Sequence, residues 1–222
     1  MPRFGFHFYW SVILVLFAAY AKSVTAEDAT PRPSISPTTG VIQLFNGTDL
    51  DGLYTWLQDT KYEDTRQVFT VKDGMLHISG DGWGGICTKK TYRDYHLVCE
   101  FKWGPRTWDT QKDRAQDSGV LVHCSGPDGG YNGIWRASIE AQIIEGGVRD
   151  LLVVPGTHAD GSPVFPLSLT AEVIQDRDGE TVWKKGDERK IFSSGRINWY
   201  GRDPDWKDKL GFRGSQDLDS PV

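Results

Sequence analysis

Beyond residue 40 the chain is a succession of short apolar runs, each broken after a few residues by Gly, Asp or Asn. Phe69-Thr70-Val71 and Met75-Leu76-His77-Ile78 flank Lys72-Asp73-Gly74, and Asp-Gly supplies the positive-φ residues that a tight hairpin turn requires. His96 to Trp103 alternates, with Leu97, Cys99, Phe101 and Trp103 on one face and His96, Val98, Glu100 and Lys102 on the other. That pattern predicts a strand. Ser118–Cys124 and Ile139–Glu145 read as two more, and Leu169–Asp176 with Glu180–Lys184 as a hairpin closed by Asp178-Gly179. No segment keeps a helical period over three turns. Many short strands and frequent turn residues predict an all-β fold, an antiparallel sandwich.

The first 40 residues differ. Arg3 precedes an apolar stretch, Ser11–Ala21, and Val24-Thr25-Ala26 places small residues where a signal peptidase cleaves, so residues 1–26 read as a signal peptide. The apolar core is short of the roughly 20 residues that span a bilayer. Phe4–Trp10 lengthens it, which keeps an uncleaved N-terminal anchor as the alternative. Either way the expected location is secreted or periplasmic, with no membrane span left after cleavage. Residues 27–40, with Pro31, Pro33 and Pro37 among small polar residues, read as a disordered linker, and the folded domain is expected over 41–222.

Composition narrows the function. The chain has 222 residues, enough for one sandwich, and nine Trp, eight Tyr and ten Phe suit both a sheet core and stacking on sugar rings. A net charge of −5, with no basic run longer than two residues, argues against a nucleic-acid partner. Three cysteines, Cys87, Cys99 and Cys124, cannot complete a disulfide framework and lack metal-ligand spacing; buried free thiols are expected, with one oxidised pair, in any of three pairings, as the alternative in an exported protein.

Strand parity then nominates a site. Along Ile139–Ile143 the side chains of Ile139, Ala141 and Ile143 face one way and those of Glu140 and Gln142 the other. Asp117, Gly119, Leu121 and His123 share a face of the neighbouring run. If both polar faces meet, a carboxylate, an imidazole and an amide line one groove, a set able to exchange protons and hold sugar hydroxyls. Glu145 ends its run beside Gly146-Gly147, and Tyr131 and Trp135 in a Gly-rich loop are candidates to stack on a ring. The plainer readings stand beside these: a wet outer face for Glu140 and Gln142, a turn cap for Asp117, a structural histidine for His123 and loop packing for Trp135. His77, His96 and His158 have no such companions. No metalloprotease, nucleophile-elbow or phosphate-loop motif occurs.

These stretches resemble a known family. Leu44-Phe45-Asn46-Gly47-Thr48-Asp49-Leu50 with Gly52, Val71–Leu76, Tyr92–Phe101, Asp117-Ser118-Gly119-Val120 and Ser138–Gly147 follow, in order, motifs of the 3-keto-disaccharide (3-keto-glycoside) hydrolase domain. The resemblance implies a concanavalin A-like jelly roll that cleaves sugars already oxidised at C3 by a separate sugar 3-dehydrogenase. It implies removal of the C2 proton, elimination at C1 and hydration; the residues themselves, not the resemblance, nominate Glu140 and His123 as base and acid in either order. Gln142 and Asp117 would orient hydroxyls, and Glu145 would assist or bind a cation; no cofactor is evident and a divalent cation stays open. The family continues with further strands beyond a region like Gly211–Gly214, so a sandwich incomplete at its C-terminus is expected. A non-catalytic carbohydrate-binding domain and an inactive truncated remnant are the alternatives.

Overall fold

Thirteen strands account for the regular structure of the computed structural model, which describes residues 33–108, 111–112, 116–144, 148, 150–165, 167–175 and 179–198. They are β1 (Ser34–Ile35), β2 (Leu53–Leu57), β3 (Phe69–Lys72), β4 (Met75–Ile78), β5 (Gly84–Thr88), β6 (Thr91–Tyr92), β7 (Gly119–Ser125), β8 (Ala137–Gln142), β9 (Leu151–Val154), β10 (Leu169–Gln175), β11 (Thr181–Trp183), β12 (Glu188–Phe192) and β13 (Gly195–Ile197). Apart from the short parallel pair β1–β6, every strand pairing is antiparallel. This is the all-β, antiparallel architecture expected of a jelly-roll sandwich. Among the described residues no helix is long and apolar enough to cross a membrane. Residues 1–32, including the stretch read as a signal peptide, and residues 199–222 lie outside the described residues, while Ser34–Ile35, expected within a disordered linker, instead pair with β6.

Two sheets hold seven of the thirteen strands. One runs in the order β13-β9-β8-β7, and the other in the order β11-β10-β12. A single parallel bridge, Val182 to Asn198, joins them, with Trp183 N–H donating to Asn198 O and Asn198 N–H to Thr181 O, both at 2.9 Å. Val173, Val182, Val153, Ile197 and Ala137 are buried along this surface. Separately, β2 pairs with β5 and β3 with β4. Leu57 is fully buried against Val68 and Phe69, with Leu50 and Ile86 packed around them. Asp64 ties down the approach to β3, its carboxylate accepting the backbone N–H groups of Val68 and Phe69 at 2.8 Å each.

The β3–β4 hairpin forms as its residues dictate. Asp73 and Gly74 take φ of 52° and 73°, the left-handed pair of a two-residue turn whose twist matches the strands. The run His96–Trp103 does not form a strand. Its side chains on both parities face solvent, including Leu97, Val98 and Phe101. Alternation specifies which way side chains point in an extended chain, but a strand also needs a partner for its backbone, and no described strand pairs with this stretch. Phe101 and Trp103 still pack edge to face, 5.5 Å apart, as neighbours two apart in extended backbone do. All three cysteines are free, and Cys99 in this stretch is exposed rather than buried; Cys87 and Cys124 are half-buried.

Candidate functional site

The register of the four-stranded sheet sorts its side chains. Gly119 pairs with Gln142, Val120 with Ala141, Leu121 with Glu140 and Val122 with Ile139. Directly opposed residues share a face, so Gly119, Leu121, Glu140 and Gln142 stand on one side and Val120, Val122, Ile139 and Ala141 on the other. The row continues across the sheet: Glu140 opposes Leu152, which opposes Arg196. Asp150 extends the same face, because Gln142 N–H donates to its carbonyl at 2.9 Å. One sheet face therefore gathers Glu140, Gln142, Asp150, Arg196 and Asn198. The reverse carries Val120, Val122, Ile139, Ala141, Leu151, Val153 and Ile197. Glu140 and Gln142 are together, and on the polar side.

This face is charged but not simply wet. The Asp150 side chain is 0% exposed and its Oδ2 accepts from Arg196 Nη2 at 2.6 Å and from Nε at 3.1 Å. Asn198 Nδ2 donates to Glu180 Oε2 at 2.5 Å. Gln142 is 6% exposed, and its own Oε1 accepts the backbone N–H of Ile143 at 3.0 Å. Such burial is sustained only when charges are paired and amides bonded.

Glu140 sits in the middle. Its carboxyl is pushed up to about 7, first by burial and next by the negative charge of Asp117, with Arg196 pulling the other way. The side chain lies across Gly119 on β7. A Cβ built there would overlap Oε1 and stand 2.7 Å from Cδ and 2.8 Å from Cγ, closer than real contacts allow. Glycine at 119 is therefore a space requirement. It lets a carboxyl fold over the neighbouring strand where any side chain would displace it.

His123 is placed differently from the parity reading. It has φ of 56°, and the β7–β8 register slips between Val122 and Ser125, so the strand carries one extra residue there. Such a bulge breaks the alternation that would align His123 with Leu121 and Glu140. The imidazole is exposed, and among the described residues Asp117 and Arg196 are the charges acting on Glu140. The negative charge of Asp117 thus acts directly on Glu140. Glu145 lies outside the described residues.

Tyr131 and Trp135 close a tight loop. Tyr131 N–H donates to Trp135 O at 2.8 Å and Trp135 N–H to Tyr131 O at 3.0 Å, and both rings are half-buried. The loop is clasped by alternate residues of β2 and its extension. Trp56 Nε1 donates to Gly133 O at 3.4 Å, Gln58 Nε2 donates to Asn132 O at 3.0 Å, and the Tyr54 hydroxyl donates to Asp128 Oδ1 at 3.1 Å. The Tyr62 hydroxyl donates to Asp128 Oδ2 at 3.0 Å. Arg136, just before β8, donates from Nη1 to the Tyr54 oxygen at 3.2 Å and from Nη2 to Gly126 O at 2.8 Å. Gly129 passes so near Trp56 that a Cβ would stand 2.9 Å from the indole. Among the described residues no three His, Cys, Asp or Glu side chains cluster as a metal site requires.

Arg196 and Asp150 were not singled out from the sequence. Their only trace there is a charge inside or just before an apolar run, Asp150 ahead of Leu151–Val154 and Arg196 ahead of Ile197. Pairing them needs the β9–β13 register.

No curated protein and no solved structure matches the chain. A family model, described as a 3-keto-alpha-glucoside-1,2-lyase-like domain, matches residues 40–191. That stretch covers more than half of the sequence and holds Glu140, Gln142, Asp150 and the glycine beneath the carboxyl. The chain belongs to the 3-keto-alpha-glucoside-1,2-lyase-like domain family.

Proposed function

We propose that the chain cleaves 3-keto-glycosides, with Glu140 as the group that takes the C2 proton. The observation that carries this reading is the Glu140 carboxyl itself, laid over Gly119 on a charged sheet face and titrating near 7. A base is most effective when its proton affinity matches the working pH. A ketone at C3 acidifies the C2 proton. As Glu140 takes that proton, electrons move to the C3 oxygen as an enolate, and their return expels the C1 substituent and leaves a C1–C2 double bond. The departing oxygen receives a proton, from the now neutral Glu140 or from the exposed His123. Water then adds across the double bond, hydroxyl to C1 and hydrogen to C2, so the net reaction is hydrolysis. Arg196, held by Asp150, supplies positive charge to the face where the enolate develops.

The substrate must come from a prior oxidation of the sugar at C3, so a sugar 3-dehydrogenase belongs upstream. We place this chemistry outside the cytoplasm on the strength of the N-terminal leader; N-terminal sequencing of the mature protein tests that placement.

The test is to incubate the protein with 3-keto-trehalose and with trehalose and to follow released sugars. The wild type should convert only the oxidised sugar, and Glu140→Gln should lower that rate by about 10²–10⁴-fold. His123→Gln, made in parallel, should cost a comparable factor only if the imidazole protonates the leaving oxygen. A wild-type rate in Glu140→Gln removes Glu140 from the reaction.

A further inference from the structure

We infer that Tyr62, with the Gly-rich loop beneath it, forms a second carbohydrate-binding site separate from the Glu140 face. Tyr62 is 61% exposed yet held at two points. Its hydroxyl is anchored on Asp128 at 3.0 Å, and its ring stands edge-on to Trp56, with centroids 4.9 Å apart and planes at 73°. A free surface tyrosine would keep its rotamer freedom, which ordering removes at a cost. Here the ring is already ordered and one side of it faces water. Trp56 is in turn fixed by the loop, through its bond to Gly133 and the close pass of Gly129. The platform is rigid before any ligand arrives, and that lowers the entropic cost of binding.

The surrounding groups select the ligand class. Gln58 spends its Nε2 on the Asn132 carbonyl, and among the described residues neither its Oε1 nor the Asn132 side-chain amide takes part in a hydrogen bond. An exposed aromatic ring on the same clasp as two side-chain amides suits a ligand that is apolar on its faces and hydroxylated at its edge, which describes a sugar. Lys61 Nζ stands 5.0 Å over the Trp56 ring and donates to the Gln58 carbonyl, and Arg136 Nε lies 3.9 Å from the Asp128 carboxylate at the base of the Tyr62 ring. Charge of both signs therefore surrounds the platform, and the exposed ring with its amides, rather than net charge, points to a sugar. Charge on the Glu140 face plays no part here, because Tyr62 and its neighbours hang from β2 and the loop that follows β7. The inference therefore stands whether or not the proposed cleavage is correct.

The experiment uses unoxidised disaccharides, trehalose and maltose, so that no turnover is needed. They are titrated into the whole protein labelled with nitrogen-15, and the side-chain amide signals of Gln58 and Asn132 are followed. Both pairs of signals should shift on titration. Tyr62→Ala should weaken the binding about fivefold to tenfold, the loss of a stacked ring, and Tyr62→Phe by less because the ring remains. A thermal melt of each variant confirms the fold. Three results would overturn the inference: no binding of either sugar, equal affinity in Tyr62→Ala, or shifts that leave the Gln58 and Asn132 amides untouched.

Discussion

Replacing Glu140 by Gln should make the protein more stable above neutral pH while it removes activity. The carboxyl rises from an ordinary 4.5 to about 7 in the folded chain, mainly through burial. The native state therefore holds a proton that the unfolded chain gives up between those two values. The neutral carboxyl's full contribution to stability is present below pH 4.5 and is lost as pH climbs through 7. At ~1.4 kcal/mol for each tenfold change in proton affinity, the loss comes to about 3 kcal/mol, an upper figure because the side chain is only half-buried. Gln has the shape of the neutral acid and cannot ionise, so it escapes the loss. Urea unfolding at pH 4.5 and pH 8 measures the effect. The two proteins should be within about 0.5 kcal/mol at the lower pH, and the variant should gain roughly 1–3 kcal/mol at the higher one. For a chain of this size that gain is roughly 2–12 °C in melting temperature. Parallel pH dependences in the two proteins would refute the reasoning, for they would mean that Glu140 ionises as freely in the fold as in water. The trade matches a residue kept for reactivity at the expense of stability.

Gly119→Ala should drive the Glu140 carboxyl from its seat and lower turnover of a 3-keto-disaccharide by about 10²-fold, with a melt close to wild type; steady-state rates check it. Asp150→Asn breaks a buried ion pair and should cost about 3–5 kcal/mol in urea unfolding at neutral pH, and a cost below 1 would show Arg196 well solvated without it. At His123, where φ is 56°, Val should destabilise by about 1–2 kcal/mol while Gly stays within about 0.5, as differential scanning calorimetry can measure.

Local chemistry was legible wherever it settled the geometry by itself. Asp73-Gly74 can hardly do anything but turn, and the alternation of Glu140 and Gln142 with Ile139 and Ala141 is kept because a strand has only two faces. What the sequence hid depends on partners. His96–Trp103 alternates as cleanly as any strand here, yet pairing is a property of two segments, and no described strand bonds to it. Parity was also carried too far along β7, since nothing in Val122-His123-Cys124 announces an extra residue. Asp150 and Arg196 lie 46 positions apart, and only the β9–β13 register makes them neighbours.

The irregularity at His123 also works as a counting device. Without it, β7 could slide along β8 by two residues and still keep apolar side chains on the apolar side. With it, one alignment alone lets the longer run match the shorter, and that alignment is the one with Gly119 under the Glu140 carboxyl. Removing a single residue between Val122 and Ser125 would let the hairpin slip past its stop. The gap that Glu140 occupies would then drift away from it, although every residue of the polar face was still present.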